Sequence, residues 1–404
     1  MSTTIGLIAE YNPLHNGHRY QIEEIKRRFE DATIVAVMSG SFTQRGEPAI
    51  LDKFIRARLA VDGGVDLVIE LPFVFATRSA QDFARGGIGI LSKLGVEQLA
   101  FGSEVDDLEA IKKAAALIDS EETKSKLRNN LADGQAYAKA IRAALATKVG
   151  EAILQPNAML AIEYVRALQS TAIEPLLIKR IGASHDDCKI TGSIASASAI
   201  RAALPNCSLI ENVVDARTLQ ELRSADLPSV EKMFLPLRMK LINSTAEELR
   251  AIAGMNEGLE NKIIRAARTA SSYAEMIDML VNRRYTRSRI RRLLLHTLLD
   301  LTAARIKQFD GVHYIRVLAF NERGQLILRT SKNSGVPVVT KLAQHLTTRS
   351  MYGRMSTLES YQQMLAFDVK AFELRELLCQ TPRIGLDFTD SPPRGGLQSS
   401  HART

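Results

Sequence analysis

The chain predicts an α/β fold, a doubly wound parallel sheet with helices on both faces, followed by a mainly helical C-terminal domain. Three observations carry this expectation. Apolar runs free of charge alternate with segments of helical period through the first half. The ends of those runs are rich in Gly, Pro, Asn and Ser. The alternation stops between Pro205 and Asp226, after which nearly every periodic segment is helical. Residues 1–205 are therefore expected as a sheet domain and 206–390 as a helical one. The polar stretch 391–404, with Pro392-Pro393 and Gly395-Gly396, is expected to be disordered.

Ile5, Leu7 and Ile8 read as the first strand, and Asn12, Pro13, Asn16 and Gly17 break it before Ile22, Ile25 and Phe29 recur at helical spacing. Thr33 to Met38 reads as a buried strand, since β-branched residues run without charge until Ser39-Gly40-Ser41. Asp52 to Ala60 is helical in pattern, Asp66 to Leu71 a third strand stopped by Pro72, Ala80 to Leu94 a helix, and Gln98 to Phe101 a fourth strand. Asp106 to Lys148, rich in Ala, Lys, Glu and Leu, predicts a long helical stretch with an exposed charged face. Pro156 opens an apolar helix with Asn157 as its expected N-cap, and Pro175 to Ile181 is the next strand. Further on, His313 to Phe320 and Gln325 to Arg329 predict a hairpin turning at Asn321 to Gly324, while Val338 to Leu346 and Leu358 to Leu378 predict helices.

With 404 residues, 46% of them hydrophobic, the chain can fill two or three cores. No apolar run reaches membrane-spanning length, and Met1 to Thr4 lacks the features of a secretion signal, so a cytoplasmic location without a membrane partner is expected. Cys188, Cys207 and Cys379 lie too far apart for a redox or zinc motif. The net charge of +8 favours a polyanionic partner without specifying one.

Two stretches carry chemistry. In I-G-L-I-A-E-Y-N-P-L-H-N-G-H-R-Y (Ile5 to Tyr20), His15 and His18 fall where a helix begins, a place of unpaired N–H groups and partial positive charge that suits phosphate. Two imidazoles there can donate hydrogen bonds to charge developing on a phosphoryl group, and Gly17 lets the backbone approach a nucleotide. The i, i+3 spacing also suits zinc, but no Glu follows His15 in the metalloprotease pattern and no Cys lies nearby, so no protein metal site is assigned. In G-S-I-A-S-A-S-A-I-R-A-A-L (Gly192 to Leu204), Ser196, Ser198 and Arg201 offer a second phosphate cradle; the same residues would also serve as a capped helix with a solvated arginine. Gly102, in F-G-S-E, could pack against a base or ribose.

In the second half, Arg283, Arg284, Arg287, Arg289, Arg291 and Arg292 crowd ten positions around Tyr285 with no acid among them. Such a segment calls for an anion, RNA or phosphate, with Tyr285 a candidate base-stacking ring.

H-N-G-H after the first strand and A-S-A-S-A-I-R late in the sheet domain stand in the order of the nucleotidyltransferase superfamily, whose signatures are H-x-G-H and S-[ST]-x-x-R. Beyond that pair, E-Y-N-P-L-H-N-G-H, S-G-S-F-T-Q-R-G-E-P-A-I-L-D-K, D-L-V-I-E-L-P-F, S-A-Q-D-F-A, P-N-A-M-L-A-I-E-Y and I-K-R-I-G-A-S together resemble the bacterial tRNA(Met) cytidine acetate ligases. The resemblance is dense from Ile5 to Leu204; after it, R-R-Y-T-R-S-R-I-R-R-L-L-L is the clearest block.

The resemblance implies a Rossmann-like nucleotidyltransferase domain that activates acetate with ATP as acetyl adenylate. The acetyl group then passes to the wobble cytidine of elongator methionine tRNA, giving acetylcytidine. It implies His15, His18, Ser198 and Arg201 as catalytic residues. It implies ATP contacts along Leu7, Ile8, Ala9, Glu10, Tyr11, Asn12, Pro13, Leu14, His15, Asn16, Gly17, His18, Arg19 and Tyr20, and at Gly102, Asn157 and Arg180. Arg283, Arg284, Arg287, Arg289, Arg291 and Arg292 become the expected tRNA contacts, and Mg2+ is expected to accompany ATP. Two departures stand out: Ala197 replaces the leading serine of the second signature, and Ser41 stands where asparagine is commoner. Two other functions fit the residues: nucleotidyl transfer to a small phosphorylated metabolite, and non-catalytic RNA binding on an inherited nucleotide fold.

Overall fold

The computed structural model describes residues 3–146, 148–181, 190, 192–256, 258–331, 334–353, 357–390 and 392. Its centre is a seven-stranded sheet of Thr4–Ala9 (β1), Thr33–Ser39 (β2), Leu67–Leu71 (β3), Gln98–Ser103 (β4), Glu174–Lys179 (β5), Ile315–Phe320 (β6) and Val338–Val339 (β7), in the order β5-β4-β1-β2-β3-β6-β7. The first five strands are parallel. Every residue of β2 is buried, and period two still sorts them: Val35 and Val37 face one core, Ile34, Ala36 and Met38 the other. The chain runs outward from β1 through β2 to β3 and then crosses back to β4 beside β1, so a crevice opens between β1 and β4 where the winding direction reverses.

The expected boundary at 205 does not bound the sheet. β6 pairs antiparallel with β3, from Leu67 opposite Phe320 to Glu70 opposite Arg316, and covers an edge that β3 would otherwise expose. The predicted hairpin is absent for a local reason. Asn321 is an N-cap whose side chain accepts from the Gly324 N–H (3.1 Å), so N-E-R-G begins the helix Glu322–Thr330 and is not a turn between strands. Gly324 is there for close approach, since a Cβ at that position would sit 2.1 Å from the carbonyl oxygen of Asp66. Val338 to Leu346, expected as helix, instead gives β7, parallel to β6, and a short 3-10 turn at Leu342–Gln344.

Asp106 to Lys148 folds as three helices, Leu108–Ile118, Glu121–Ala132 and Tyr137–Leu145, because Asp107 and Ser120 each cap a new start. The C-terminal helix Ser360–Leu377 is bolted to the first half: Arg375 donates to the carbonyls of Ala49 (3.1 Å) and Ile50 (2.7 Å), and Phe372 meets Phe54 edge-on at 5.8 Å. Beneath β3, fully buried Lys53 is bonded by Glu70 (2.9 Å) and Asp387 (3.0 Å), and Arg316 by the same two carboxylates (3.2 and 2.5 Å). Cys188, residues 182–184 of I-K-R-I-G-A-S, and nearly all of the 391–404 tail lie outside the described residues.

Candidate active site

The segment after β1 enters the helix Asn16–Arg28 through an unusual cap. His15 is the N-cap: its Nδ1 accepts from the Gly17 N–H (3.0 Å), and the Nδ1 of His18 accepts from the His15 N–H (3.4 Å). With both Nδ1 atoms occupied as acceptors, each ring carries its proton on Nε2 and has an N–H left to offer. The rings lie 3.8 Å apart, and Tyr11 abuts His18 edge-on at 5.0 Å. Burial, then the nearby Arg180 and Arg201, drives His15 down to about 3; burial and His15 lower His18 as well. Both act as neutral donors in the nucleotide-free protein. Gly17 has no alternative, because a Cβ there would lie 2.9 Å from Cε1 of His15.

The second signature meets the first directly. Ser196 caps the helix Ala197–Ala203 by accepting from the Ala199 N–H (3.0 Å), and its Oγ lies 3.1 Å from that of Ser198. Arg201 is half-buried rather than fully solvated: its Nη1 donates to the Asn12 carbonyl (2.9 Å) and its Nη2 approaches Glu47 (3.8 Å). Asn16 closes the same junction, donating to the carbonyls of Ser193 and Asn212 (2.9 Å each).

Across the crevice, a Cβ on Gly102 would lie 3.0 Å from Cγ of Arg180, so glycine lets that side chain lie flat over the strand end. Asn157 is not an N-cap. Gln155 holds that position without a side-chain bond, and Glu104 caps the helix Pro156–Leu168 from outside, accepting from the Asn157 side chain (2.5 Å) and the Ala158 N–H (2.8 Å).

These groups surround one cavity of about 1040 Å3, lined by Ile8 to Asn12, His15, His18, Gly102, Asn157, Arg180, Ser196, Ser198 and Arg201. That is the upper end of the range for small-molecule sites, room for a nucleotide and a second reactant. Other residues of the Leu7 to Tyr20 stretch stand behind the wall: Leu7 and Leu14 are core, Pro13 is buried, Arg19 pairs with Asp215 (3.3 Å), and Tyr20 packs against the core.

The arginine segment reaches the same cavity, which the sequence did not suggest. Arg284, Arg289 and Arg292 line it. The segment finds partners elsewhere in the chain: Arg287 pairs with Asp278, Arg291 with Glu47, and Arg292 donates to the uncharged Gln44 carbonyl (2.9 Å). Arg283, Arg284 and Arg287 are exposed. Tyr285 is buried, with the guanidinium of Arg289 over its ring at 4.9 Å and that of Arg284 at 5.8 Å, so it offers no open stacking face. Burial lowers Arg180, Arg201 and Arg292, the last to about 10. Enclosed cations held below their usual range are short of counter-charge, as expected of a site for an anion. Sequence reasoning missed Gln44, Arg45 and Glu47 as cavity residues, although Q-R-G-E stands inside a quoted block.

A sheet whose β1–β4 switch point carries a paired-histidine helix start, with a serine-arginine turn folded onto it, defines a nucleotidyl transferase; the family model for HIGH nucleotidyl transferases matches residues 1–385. Among curated relatives, the tRNA(Met) cytidine acetate ligase of Caldanaerobacter subterraneus subsp. tengcongensis is 42% identical over 84% of this chain and 89% of its own length. That of Acetivibrio thermocellus is 38% identical over 85% and 89%. Thermotoga maritima TmcAL superposes with a TM-score of 0.87 in its apo form and 0.85 bound with alpha-thio ATP, at 29% identity over 97% of this chain and 99% of that one. The chain belongs to the tRNA(Met) cytidine acetate ligase family.

Proposed function

We propose that this chain joins acetate to the wobble cytidine of elongator tRNA(Met) in two steps driven by ATP. Acetate oxygen attacks the α-phosphorus, the bond to the bridging oxygen breaks, and pyrophosphate leaves with acetyl adenylate retained. The Nε2–H groups of His15 and His18 donate to the phosphoryl oxygens as charge builds, a role that needs no charged imidazole and no enzyme nucleophile. Arg201, Arg180 and Ser198 hold the departing phosphates, and Gly102 and Asn157 flank the nucleoside. The cytidine amine then attacks the acetyl carbonyl and AMP leaves, a step made effectively unimolecular by holding both partners in one cavity.

The observation that carries this reading is the 2.9 Å bond from Arg201 to the Asn12 carbonyl, which folds the two signatures onto the same space. The six arginines of 283–292 take the tRNA backbone, Arg284, Arg289 and Arg292 at the mouth next to the reacting groups and Arg283 and Arg287 outside it. Catalytic and RNA-binding parts then divide the labour without dividing the sheet.

ATP is expected to arrive with Mg2+. Among the described residues no three His, Cys, Asp or Glu side chains cluster as metal ligands, and triphosphate oxygens and water supply most of the coordination such an ion takes. Among the same residues no helix is long and apolar enough to cross a membrane. Action on tRNA would place the protein in the cytoplasm. Incubation with ATP, radiolabelled acetate and total tRNA is expected to label tRNA(Met) only when all three are present. A strain lacking the protein should lose acetylcytidine by mass spectrometry; an unchanged level would remove the proposal.

A further inference from the structure

A carboxylate facing a triphosphate site repels the phosphates, so it serves a metal ion, a hydrogen-bond donor or a proton. Four acidic side chains line the cavity: Glu10, Glu47, Asp82 and Glu163. Three are neutralised by arginine: Glu47 by Arg291 and Arg201, Asp82 by Arg78 (3.0 Å), and Glu163 by Arg166 (2.7 Å). Among the described residues Glu10 has no ion pair within 4.0 Å; one oxygen accepts from the Gln44 N–H (2.7 Å) and the other is left over.

Its position is fixed. Arg56, fully buried, donates to the Glu10 carbonyl (2.6 Å), to the Ser39 carbonyl (3.0 Å) and to that of Gly40, locking the ends of β1 and β2 together. Gln44 links Glu10 to the arginine segment, since its N–H reaches the carboxylate while its carbonyl accepts from Arg292. Glu10 thus stands on the seam between the phosphate cradle and the basic mouth, where an amine entering from the RNA side would meet the acyl group. The two histidines are unsuited to accept a proton there, because each Nδ1 is already bonded to the backbone and each Nε2 carries hydrogen.

We propose that the Glu10 carboxylate is the general base of the second step. As the exocyclic nitrogen of cytidine forms its bond to the acetyl carbon, its proton passes to the free oxygen of Glu10, the bond from that carbon to the adenylate oxygen breaks, and AMP departs. Glu10 then releases the proton to solvent. This rests on the ligase reading above.

The test separates the two half-reactions in the full chain. E10Q keeps an oxygen to accept from Gln44 but cannot take a proton. Acetyl transfer to tRNA is expected to fall by roughly 10²-fold or more. Because Glu10 also lies in the ATP loop, the readout is the ratio of transfer to acetate-dependent pyrophosphate exchange, which should fall in E10Q, while added hydroxylamine, a nucleophile that needs no base, should still be converted to acetohydroxamate in proportion to exchange. E10D, with the carboxylate withdrawn by one methylene, should show an intermediate ratio of transfer to exchange. Transfer by E10Q at the wild-type rate, or exchange and hydroxamate formation falling in step with transfer in both variants, overturns the base. Wild-type protein without acetate-dependent exchange overturns the ligase reading, and this inference with it.

Discussion

In the segment after β1, His15 and His18 each commit one ring nitrogen to the backbone before any ligand arrives. In the 283–292 segment, Arg283, Arg284 and Arg287 reach solvent, and Arg291 and Arg292 are tied by Glu47 and Gln44. One anion site is set in advance and the other keeps movable side chains around a fixed centre. A reacting phosphorus needs donors that do not reorganise, whereas a long, irregular polyanion is met better by charges that can adjust.

The largest test of that contrast is His18→Ala. It is expected to cut acetate-dependent pyrophosphate exchange by roughly 10²- to 10³-fold while the far-UV circular dichroism stays native. A variant retaining full exchange would take the imidazoles out of the chemistry. Gly17→Ala comes next, because the added methyl must push the His15 ring aside. We expect kcat for the same reaction to fall by roughly 10- to 100-fold.

Arginine variants sharpen the line between the regions. Arg287 pairs outside the cavity with Asp278, so Arg287→Ala should weaken tRNA binding and reduce its salt slope by about one, leaving acetate-dependent ATP use alone. Arg291→Ala releases Glu47 to Arg201 and should raise the KM for ATP as well. Equal loss of both activities in the two variants would erase the distinction.

The smallest effect is on stability. Burial holds His15 at about 3 and His296 at about 4, while the unfolded chain takes up those protons near pH 6.5. Between those values the unfolded state binds more protons, so stability is complete above about pH 6.5 and is lost on acidification. The loss is about 1.4 kcal/mol per histidine for each unit of pH below that point. Urea denaturation of nucleotide-free protein at neutral and mildly acidic pH measures it, and a stability that rises on acidification would contradict buried neutral rings.

Much of the first half was legible because local pattern and fold agree there. T-I-V-A-V-M and D-L-V-I-E-L became β2 and β3 within a residue, and the order of strands and helices followed. In the second half the helices were legible, Leu358 to Leu378 becoming Ser360–Leu377, but the strands were not, because their decisive contacts are distant. Nothing near I-R-V-L-A-F says that its partner is β3, some 250 residues earlier, and N-E-R-G looks the same as a turn or as a capped helix start. Charges inside apolar strands, Glu70 and Arg316, were the available signal that two buried elements must meet. The histidine pair was readable at the site, since its donors are local. The bond from Arg201 to a backbone carbonyl 189 residues away had no trace in composition or period.

The ion cluster under β3 has a consequence for how the molecule is made. Translation delivers Lys53 first of the four groups and Asp387 last, 334 residues later, so the first half emerges with Lys53 and Glu70 paired and the second carboxylate of the cluster still to come. A polypeptide that stalls before residue 386 leaves Lys53 and Arg316 sharing Glu70 alone, and pulse proteolysis should find even its N-terminal half readily cleaved. Completion of the message thereby supplies the last charge beneath β3, after every residue of the ATP-handling half has been made.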